Sequence, residues 1–176
     1  DAKAGNYRGI LKVSADGAKA QQVEINCEVW DFAIPKHTHL RTALSFRGHM
    51  KQLYPEDQVE EMTIKYQNWM LEQYHLNPNN IYAGPPTEWD ADRLRELMSL
   101  GLNAINLAYF NAPTGADFKE DAYWKSFDQR VQWIKNYMPV IEKAGARVLC
   151  FIYCFDERPS TQLDVLFETA EKLKEI

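Results

Sequence analysis

The sequence predicts an α/β protein: a β-hairpin followed by the first four βα units of a TIM-type (β/α)8 barrel. Three observations lead to this prediction. Residues 148–155 form an uninterrupted apolar run, which is typical of a strand buried on both faces. Strand-like and helix-like segments alternate along the chain, as they do in parallel sheets with right-handed crossovers. Helix, glycine and strand follow one another twice, at Gly101 and at Gly145.

The first 35 residues predict an antiparallel hairpin. Residues 7–14 favour a strand, Asp16 and Gly17 supply a turn, and apolar and polar side chains alternate from Val23 onward. The alternation predicts a strand with one buried face. Because two strands cannot bury their own apolar face, we expect the hairpin to be the end of a larger β domain.

Four strand–helix units are predicted within residues 36–176. The predicted strands are residues 40–46, 80–83, 102–110 and 147–155, and the predicted helices begin near Pro55, Asp90, Asp121 and Thr161. Pro139 lies inside the third helix, where a kink or a break is expected. Ser160 or Thr161 is expected to cap the fourth helix.

The same units are compatible with an open doubly wound sheet. No strand is followed by a glycine-rich phosphate loop, which weakens the dinucleotide-binding version of that fold. The leading β segment and the acidic pair after the fourth strand favour the barrel. Half a barrel has open sheet edges, so we expect it to require the rest of its own barrel.

Composition excludes several classes of protein. The chain is 45% hydrophobic and 26% charged, as in ordinary globular proteins. Its net charge of -5 is spread out without runs of Lys or Arg, which argues against a nucleic-acid partner or an anionic membrane surface. The longest apolar run is far shorter than the roughly 20 residues that span a bilayer, so no membrane span is expected. The start at Asp1 suggests a processed product or an excerpt of a longer protein.

Cysteine and histidine positions predict neither a disulfide framework nor a metal site. Cys27, Cys150 and Cys154 are expected to be small buried apolar side chains. The pair His37 and His39 has no carboxylate or cysteine at ligand spacing, so no metal is expected there.

Asp156 and Glu157 are the candidate catalytic residues. They follow the fourth predicted strand, and ligands of βα barrels bind at the carboxyl ends of the strands. Odd-numbered positions of that strand carry the bulkier side chains, which we expect to face the helices, so the even-numbered set should direct Asp156 into the barrel. Pro159 favours a bend that would bring Glu157 with it. The plainer alternative is a solvated acidic turn that caps the next helix.

An adjacent Asp–Glu pair favours one kind of glycoside hydrolysis. Ordinary glycosidases separate their two carboxyl groups by about 5 Å or more, and these usually come from different strands. Adjacent carboxylates suit the substrate-assisted exception, in which the 2-acetamido oxygen of the sugar attacks the anomeric carbon. The Asp then stabilises the oxazolinium and the Glu protonates the leaving oxygen. Two like charges this close also raise one of the two pKa values.

Other polar and aromatic residues near predicted strand ends are candidate substrate-binding residues. Tyr82, Tyr109 and Asn111 follow the second and third strands and could bind sugar hydroxyls or the acetamide. Trp89 lies in a loop at the same end and could stack on a sugar face. Residues of these types also serve in packing and in loops. No cofactor is expected.

Four stretches together resemble glycoside hydrolase family 123, whose known members are exo-acting β-N-acetylgalactosaminidases. These stretches are Tyr7-Arg8-Gly9, the Val-Trp-Asp-Phe-Ala-Ile-Pro segment at 29–35, Leu40-Arg41-Thr42-Ala43, and the last strand with its Asp156-Glu157 pair. The resemblance covers nearly the whole chain. It implies that residues 1–35 are the C-terminal strands of a β-sandwich with a linker and that residues 36–176 are the N-terminal half of the catalytic barrel.

The resemblance also implies an activity. Asp156 would stabilise the acetamide and Glu157 would be the general acid/base of a retaining hydrolase that releases terminal β-linked N-acetylgalactosamine. The partner would be a glycan or glycoconjugate at an extracytoplasmic address, and this fragment alone would be inactive. Arg158 stands where the family pattern has a proline. A non-catalytic carbohydrate-binding or structural module with a degenerate barrel therefore remains an alternative, as does a related enzyme with a different sugar substrate.

Overall fold

The structure, a computed structural model, describes residues 2–35, 37–46, 49–111 and 120–176. The chain divides into two compact units, Asp1–Pro35 and Lys36–Ile176.

The first unit is the predicted hairpin. Strand β1 (Gly5–Val13) pairs antiparallel with strand β2 (Gln21–Val29), with Gly5 opposite Val29 and Val13 opposite Gln21. This register collects most of the apolar side chains on one face, namely Tyr7, Leu11, Val13, Val23, Ile25, Cys27 and Val29. The expected burial of that face is not found, since every residue of both strands is exposed except the partly exposed Val29. The unit has no second layer among its described residues, so nothing in it covers the face.

The second unit contains five helices and two strands in its described part. The helices are α1 (Met50–Leu53), α2 (Val59–Tyr74), α3 (Ala91–Leu100), α4 (Glu120–Ala144) and α5 (Leu163–Leu173). The strands β3 (Ile105–Phe110) and β4 (Cys150–Cys154) pair in parallel, with α4 as their crossover. Single turns of 3-10 helix precede α2, β4 and α5, at Glu56–Gln58, Arg147–Leu149 and Ser160–Gln162.

The core of this unit lies between β3 and helices α3 and α4. Leu94 and Leu97 of α3, Ile105 and Phe110 of β3 and Ile134 of α4 are all fully or almost fully buried. Each belongs to the apolar face of its own element, so burial follows the sequence periodicity. The strand β4 is shorter than predicted and half-buried along its length, because the described helices cover only one of its faces.

The first two predicted strands are wrong. Between residues 40–46 and 80–83 the structure has only one isolated antiparallel bridge, from Ser45 to Asn80. Side-chain amides make the connections instead: the Asn77 amide donates to the carbonyl and hydroxyl of Thr42, and that of Asn79 donates to the Ala104 carbonyl. Residues 77–80, which lead into the second predicted strand, are Asn-Pro-Asn-Asn, and asparagine and proline are poor strand formers.

The helices follow the sequence signals more closely. Helix α3 begins near Asp90, as predicted, and Asp90 Oδ1 caps it by accepting a hydrogen bond from the Arg93 N–H at 2.8 Å. The helix ends at Gly101 with φ of 115°. Of the kink or break expected at Pro139, the break is not found, because helix α4 runs through that residue without interruption. Ile134 and Ile141 are buried on either side of that proline, so packing holds both halves of the helix. Neither Ser160 nor Thr161 caps α5, which continues directly from the 3-10 turn.

Candidate functional site

The acidic pair lies where β4 ends. The Phe155 N–H donates to the Phe110 carbonyl at 2.8 Å, so Phe155 extends the pairing with β3 by one residue. Its side chain is buried and contacts the Tyr123 ring of α4, with the ring centroids 6.0 Å apart. Its φ of 54° is left-handed, which is uncommon for a residue other than glycine.

The faces of β4 are the reverse of the predicted ones. Cys150, Ile152 and Cys154 pack against the helical core, so the smaller, even-numbered set faces the helices. Tyr153 lies on the other face with the tyrosines of neighbouring segments. Side chains of a strand alternate, so Asp156 would have continued the helix-facing set. The left-handed turn at Phe155 interrupts the alternation, and Asp156 joins the Tyr153 side instead.

Two tyrosine hydroxyls hold the Asp156 carboxylate. Tyr153 donates to Oδ1 at 2.6 Å and Tyr82 donates to Oδ2 at 2.9 Å. Tyr109 completes a tyrosine cluster with these two, its ring stacked on Tyr153 at 5.7 Å and edge-on to Tyr82 at 5.2 Å. All three tyrosines are partly exposed, so the cluster forms an open aromatic surface beside the carboxylate.

These hydrogen bonds shift the titration of both partners. The Tyr153 hydroxyl lowers the pKa of Asp156, and the Tyr82 hydroxyl and the Arg158 charge lower it further against a smaller opposing effect of burial. The same hydrogen bond to the anionic Asp156 raises the pKa of Tyr153 to about 12. Asp156 is therefore a carboxylate and Tyr153 a neutral phenol across the neutral range.

Glu157 is presented differently from Asp156. It is exposed, and its φ of 50° is the second left-handed value within three residues. Such conformations cost of order 1–3 kcal/mol each and concentrate at functional sites. Arg158 follows; it is half-buried, and its Nε is shielded without a hydrogen-bond partner in the described part of the chain.

Two other predicted substrate-binding residues are not members of this tyrosine cluster. Asn111 follows β3 directly and is half-buried, and its Oδ1 has no hydrogen-bond partner among the described residues. Trp89 is not available to a ligand, which corrects the expectation that it stacks on a sugar. Its ring is completely buried in the core, its Nε1 donates to Gln67 Oε1 at 3.4 Å, and its carbonyl accepts the Tyr137 hydroxyl.

The sequence reasoning missed Tyr153 and Asn106. The bulk of its side chain predicts that Tyr153 faces the helices. In the structure Tyr153 lies on the other face of β4, and the left-handed Phe155 brings Asp156 to the same side. Asn106 is a buried polar residue within an apolar strand, which was a detectable signal. Its side chain accepts the Tyr153 N–H and donates to the segment that carries Tyr82.

Potential metal ligands do not gather in groups of three or more in the described part of the chain, and the two cysteines of β4 are partly buried. No group of three or more His, Cys, Asp and Glu side chains there is placed to hold a metal ion. Burial raises the pKa of Cys150 to about 11 and also raises that of Cys154, so both remain thiols at neutral pH. None of the described helices is both long and apolar enough to cross a membrane.

Comparison of the chain with protein-family models, curated proteins and solved structures found no match.

Proposed function

We propose that the natural protein is a retaining exo-glycoside hydrolase that releases terminal β-linked N-acetylgalactosamine by substrate-assisted catalysis. One observation carries the proposal: two tyrosine hydroxyls hold the Asp156 carboxylate at the end of a parallel strand, with the exposed Glu157 next to it. The resemblance of the sequence to glycoside hydrolase family 123 supports the same assignment of the two acids.

Asp156 would orient the 2-acetamido group and stabilise its positive charge. In the first step the acetamide oxygen attacks the anomeric carbon, and the glycosidic bond breaks. The acetamide N–H donates to Asp156 as the oxazolinium forms. Each carboxylate oxygen has two acceptor positions, so one tyrosine bond per oxygen leaves room for the acetamide. The lowered pKa of Asp156 suits this role, because only the anion stabilises the oxazolinium.

Glu157 would act as general acid and then as general base. It gives its proton to the leaving oxygen in the first step and takes a proton from water in the second, when water opens the oxazolinium with overall retention. Its exposure at the tip of the turn fits a group that must reach a glycosidic oxygen. The tyrosine cluster supplies an apolar surface on which the C–H groups of the sugar can pack.

The proposal extends to the surroundings of the site. Residues 36–176 would be the first half of a (β/α)8 barrel and residues 1–35 the end of a β-sandwich. The parallel pair β3 and β4 with its helical crossover is compatible with such a barrel. Because the other half would complete the sugar pocket, activity is to be measured on the full natural protein. An extracytoplasmic address fits a glycan substrate, and the mechanism requires no cofactor.

Kinetics of single-residue variants test this proposal. Glu157→Gln should lower kcat by at least about 10²-fold, because a general acid contributes that much or more. Asp156→Asn should slow the hydrolysis of N-acetylated substrates by a comparable factor, and a thiazoline mimic of the oxazoline should inhibit the wild-type protein. Glu175→Gln, at an exposed glutamate near the end of α5, is the control and should leave turnover unchanged. Unchanged hydrolysis by Asp156→Asn would rule out the mechanism.

The second candidate function is a non-catalytic carbohydrate-binding module. Arg158 favours it, because this residue stands where the family pattern has a proline. Binding of N-acetylhexosamines without turnover of aryl glycosides by the full natural protein would establish this alternative.

A further inference from the structure

Asn106 connects both segments that hold the Asp156 carboxylate. It lies on β3 and is almost completely buried. Its Nδ2 donates to the carbonyls of Ile81 at 3.0 Å and Ala83 at 2.8 Å, with a longer contact to Asn80 at 3.4 Å. Its Oδ1 accepts the Tyr153 N–H at 3.2 Å. One amide group therefore bonds to the backbone on both sides of Tyr82 and to the backbone of Tyr153.

The segment around Tyr82 depends on this amide because it is not part of a sheet. Residues 80–83 form a turn with one isolated bridge at Asn80. Within the segment the Ala83 N–H donates to the Asn80 carbonyl at 3.0 Å, and the Asn80 Oδ1 accepts the Tyr82 N–H at 3.0 Å. In a regular strand a ladder of backbone hydrogen bonds would set the position of the backbone. Here the Asn106 side chain takes the place of that ladder.

A β-bulge puts the same side chain next to Tyr153. Asn106 pairs with Phe151, and the next pair is Tyr109 with Tyr153, so β3 has one residue more than β4 across this step. The Asn106 Oδ1 accepts the Tyr153 N–H within the bulge. The extra residue also brings Tyr109 opposite Tyr153, where the two rings stack at 19°.

We propose that Asn106 is a positioning residue whose buried amide holds the backbone at Tyr82 and at Tyr153, so that both hydroxyls meet the Asp156 carboxylate. The proposal rests on the proposed function only in treating Asp156 as catalytic. Asn106 itself does not contact the carboxylate in the structure.

Only a side-chain amide meets both requirements at this position. The carbonyls at residues 81 and 83 need a donor, and the Tyr153 N–H needs an acceptor. Asparagine supplies both from one planar group. An ionised aspartate has the acceptor but no donor, and a serine is too short to span the two segments. Either change leaves the carbonyls of Ile81 and Ala83 without the donor that Asn106 supplies, which favours displacement of the segment that carries Tyr82.

Titration of Tyr153 reports the geometry directly. The groups that act on it are Asp156, Tyr82 and Tyr109, and those that act on Asp156 are Tyr153, Tyr82 and Arg158. Asn106 is neutral, so it affects these titrations only by holding the partners in place. A change in the Tyr153 titration in the neutral variant Asn106→Ser therefore measures position rather than charge. The added carboxylate of Asn106→Asp by itself favours a higher Tyr153 pKa, so a fall of the pKa in that variant also reports position.

The experiment compares Asn106→Ser and Asn106→Asp with the control Asn77→Ser. Asn77 is as deeply buried as Asn106 and also holds a hydrogen-bond network, but its partners are Thr42 and Asn103, away from the tyrosine cluster. The titration of Tyr153 is followed by tyrosinate absorbance and assigned by its loss in Tyr153→Phe. In both Asn106 variants the pKa of Tyr153 should fall from about 12 toward its ordinary 10.0, and Asn77→Ser should leave it in place.

Three results would overturn the proposal. The first is an unchanged Tyr153 titration in both Asn106 variants. The second is an equal shift in Asn77→Ser. The third is loss of the fold in both Asn106 variants while Asn77→Ser stays folded, since Asn106 would then be structural.

A kinetic measurement separates this proposal from the proposed function. In the full natural protein Asn106→Ser should lower kcat/KM for N-acetylated substrates by about 10- to 100-fold, as expected for a misplaced reacting group. The acid limb of its pH profile should also move to higher pH, because Asp156 would lose the hydrogen bonds that favour its anion. If the wild-type protein has no turnover, the proposed function fails, and the tyrosine titration still decides the role of Asn106.

Discussion

The backbone conformation of Phe155 determines on which face of the sheet the Asp156 side chain lies. Its left-handed backbone lets its own side chain stay buried against Tyr123 while Asp156 turns to the opposite face of the sheet. The side-chain burial of Phe155 offsets the strain of this conformation, because burying a phenylalanine contributes about 1.5–3 kcal/mol. Glu157 adopts a second left-handed value directly afterwards. The two acids thus differ in environment although they are adjacent in the chain.

At the scale of single residues, Tyr153→Phe should raise the pKa of Asp156 toward its ordinary value of 3.8, because the largest cause of its lowering is the Tyr153 hydroxyl. A carboxyl group whose pKa is lowered in the folded state stabilises the fold at any pH above its ordinary pKa. This stabilisation is lost as the pH falls through the lowered pKa of the folded state. On acidification below pH 3.8, the Tyr153→Phe variant should therefore lose less stability than the parent chain does. Carboxyl NMR titration and urea unfolding at several pH values measure both effects.

Tyr109→Phe is the matched control for this prediction. Tyr109 belongs to the same cluster and stacks on Tyr153, but its hydroxyl makes no hydrogen bond to Asp156 in the structure. The pKa of Asp156 should stay lowered in this variant. Equal shifts in both variants would mean that the rings, rather than the hydroxyl bonds, determine the pKa.

At the scale of elements, the loop before α3 approaches β3 so closely that only glycine fits at position 84. A methyl group there would lie 2.7 Å from the Leu107 carbonyl oxygen and 3.0 Å from the Trp133 ring. The partners are a buried strand backbone and a ring of α4, and neither is the free end of a flexible side chain. The contact therefore joins the loop, β3 and α4.

Gly84→Ala should lower the free energy of unfolding by about 1–3 kcal/mol, the usual cost of overpacking. Urea denaturation of the 176-residue chain measures this change. Gly9→Ala is the control, because a methyl group there meets no atom within 4 Å. If Gly84→Ala were as stable as the parent chain, the loop would not be held against β3 in the way that the structure describes.

Local signals explain which elements could be predicted. Helix α3 has an acidic cap at Asp90 and a glycine at Gly101, both readable within a few residues, and the structure has both. The expected strands at 40–46 and 80–83 failed because their hydrogen bonds go to asparagine side chains far away in the chain. Nothing in the local sequence identifies such partners.

In the candidate site, too, the residues that could be predicted are those marked by a local sequence signal. Asp156 and Glu157 at the end of a buried strand were found from the apolar run before them, and Tyr82 and Tyr109 from their positions after predicted strands. The hydrogen bond from Tyr153 to Asp156 could not be predicted, because a phenylalanine at position 155 does not indicate a left-handed turn. Trp89 was misassigned, because a loop position does not reveal that the ring turns into the core.

At the scale of the whole molecule, the two units differ in what stabilises them. The buried apolar residues of the described chain begin at Met50, and the hairpin contributes none. Its apolar face, which includes Leu11 and Ile25, is about half-exposed. An isolated two-stranded hairpin is marginally stable at best, whereas the second unit has a packed layer of helices on its sheet.

The backbone amides of β1 and β2 should therefore exchange with solvent much faster than those of β3 in the 176-residue chain. Hydrogen exchange followed by NMR distinguishes them, because the hydrogen bonds of the buried β3 amides break only when the core unfolds. Deletion of residues 1–35 should leave the urea midpoint of the remaining chain unchanged, since no buried apolar residue is removed. Slow exchange in the hairpin, or a lower midpoint after deletion, would show that the hairpin is stabilised by contacts with the second unit.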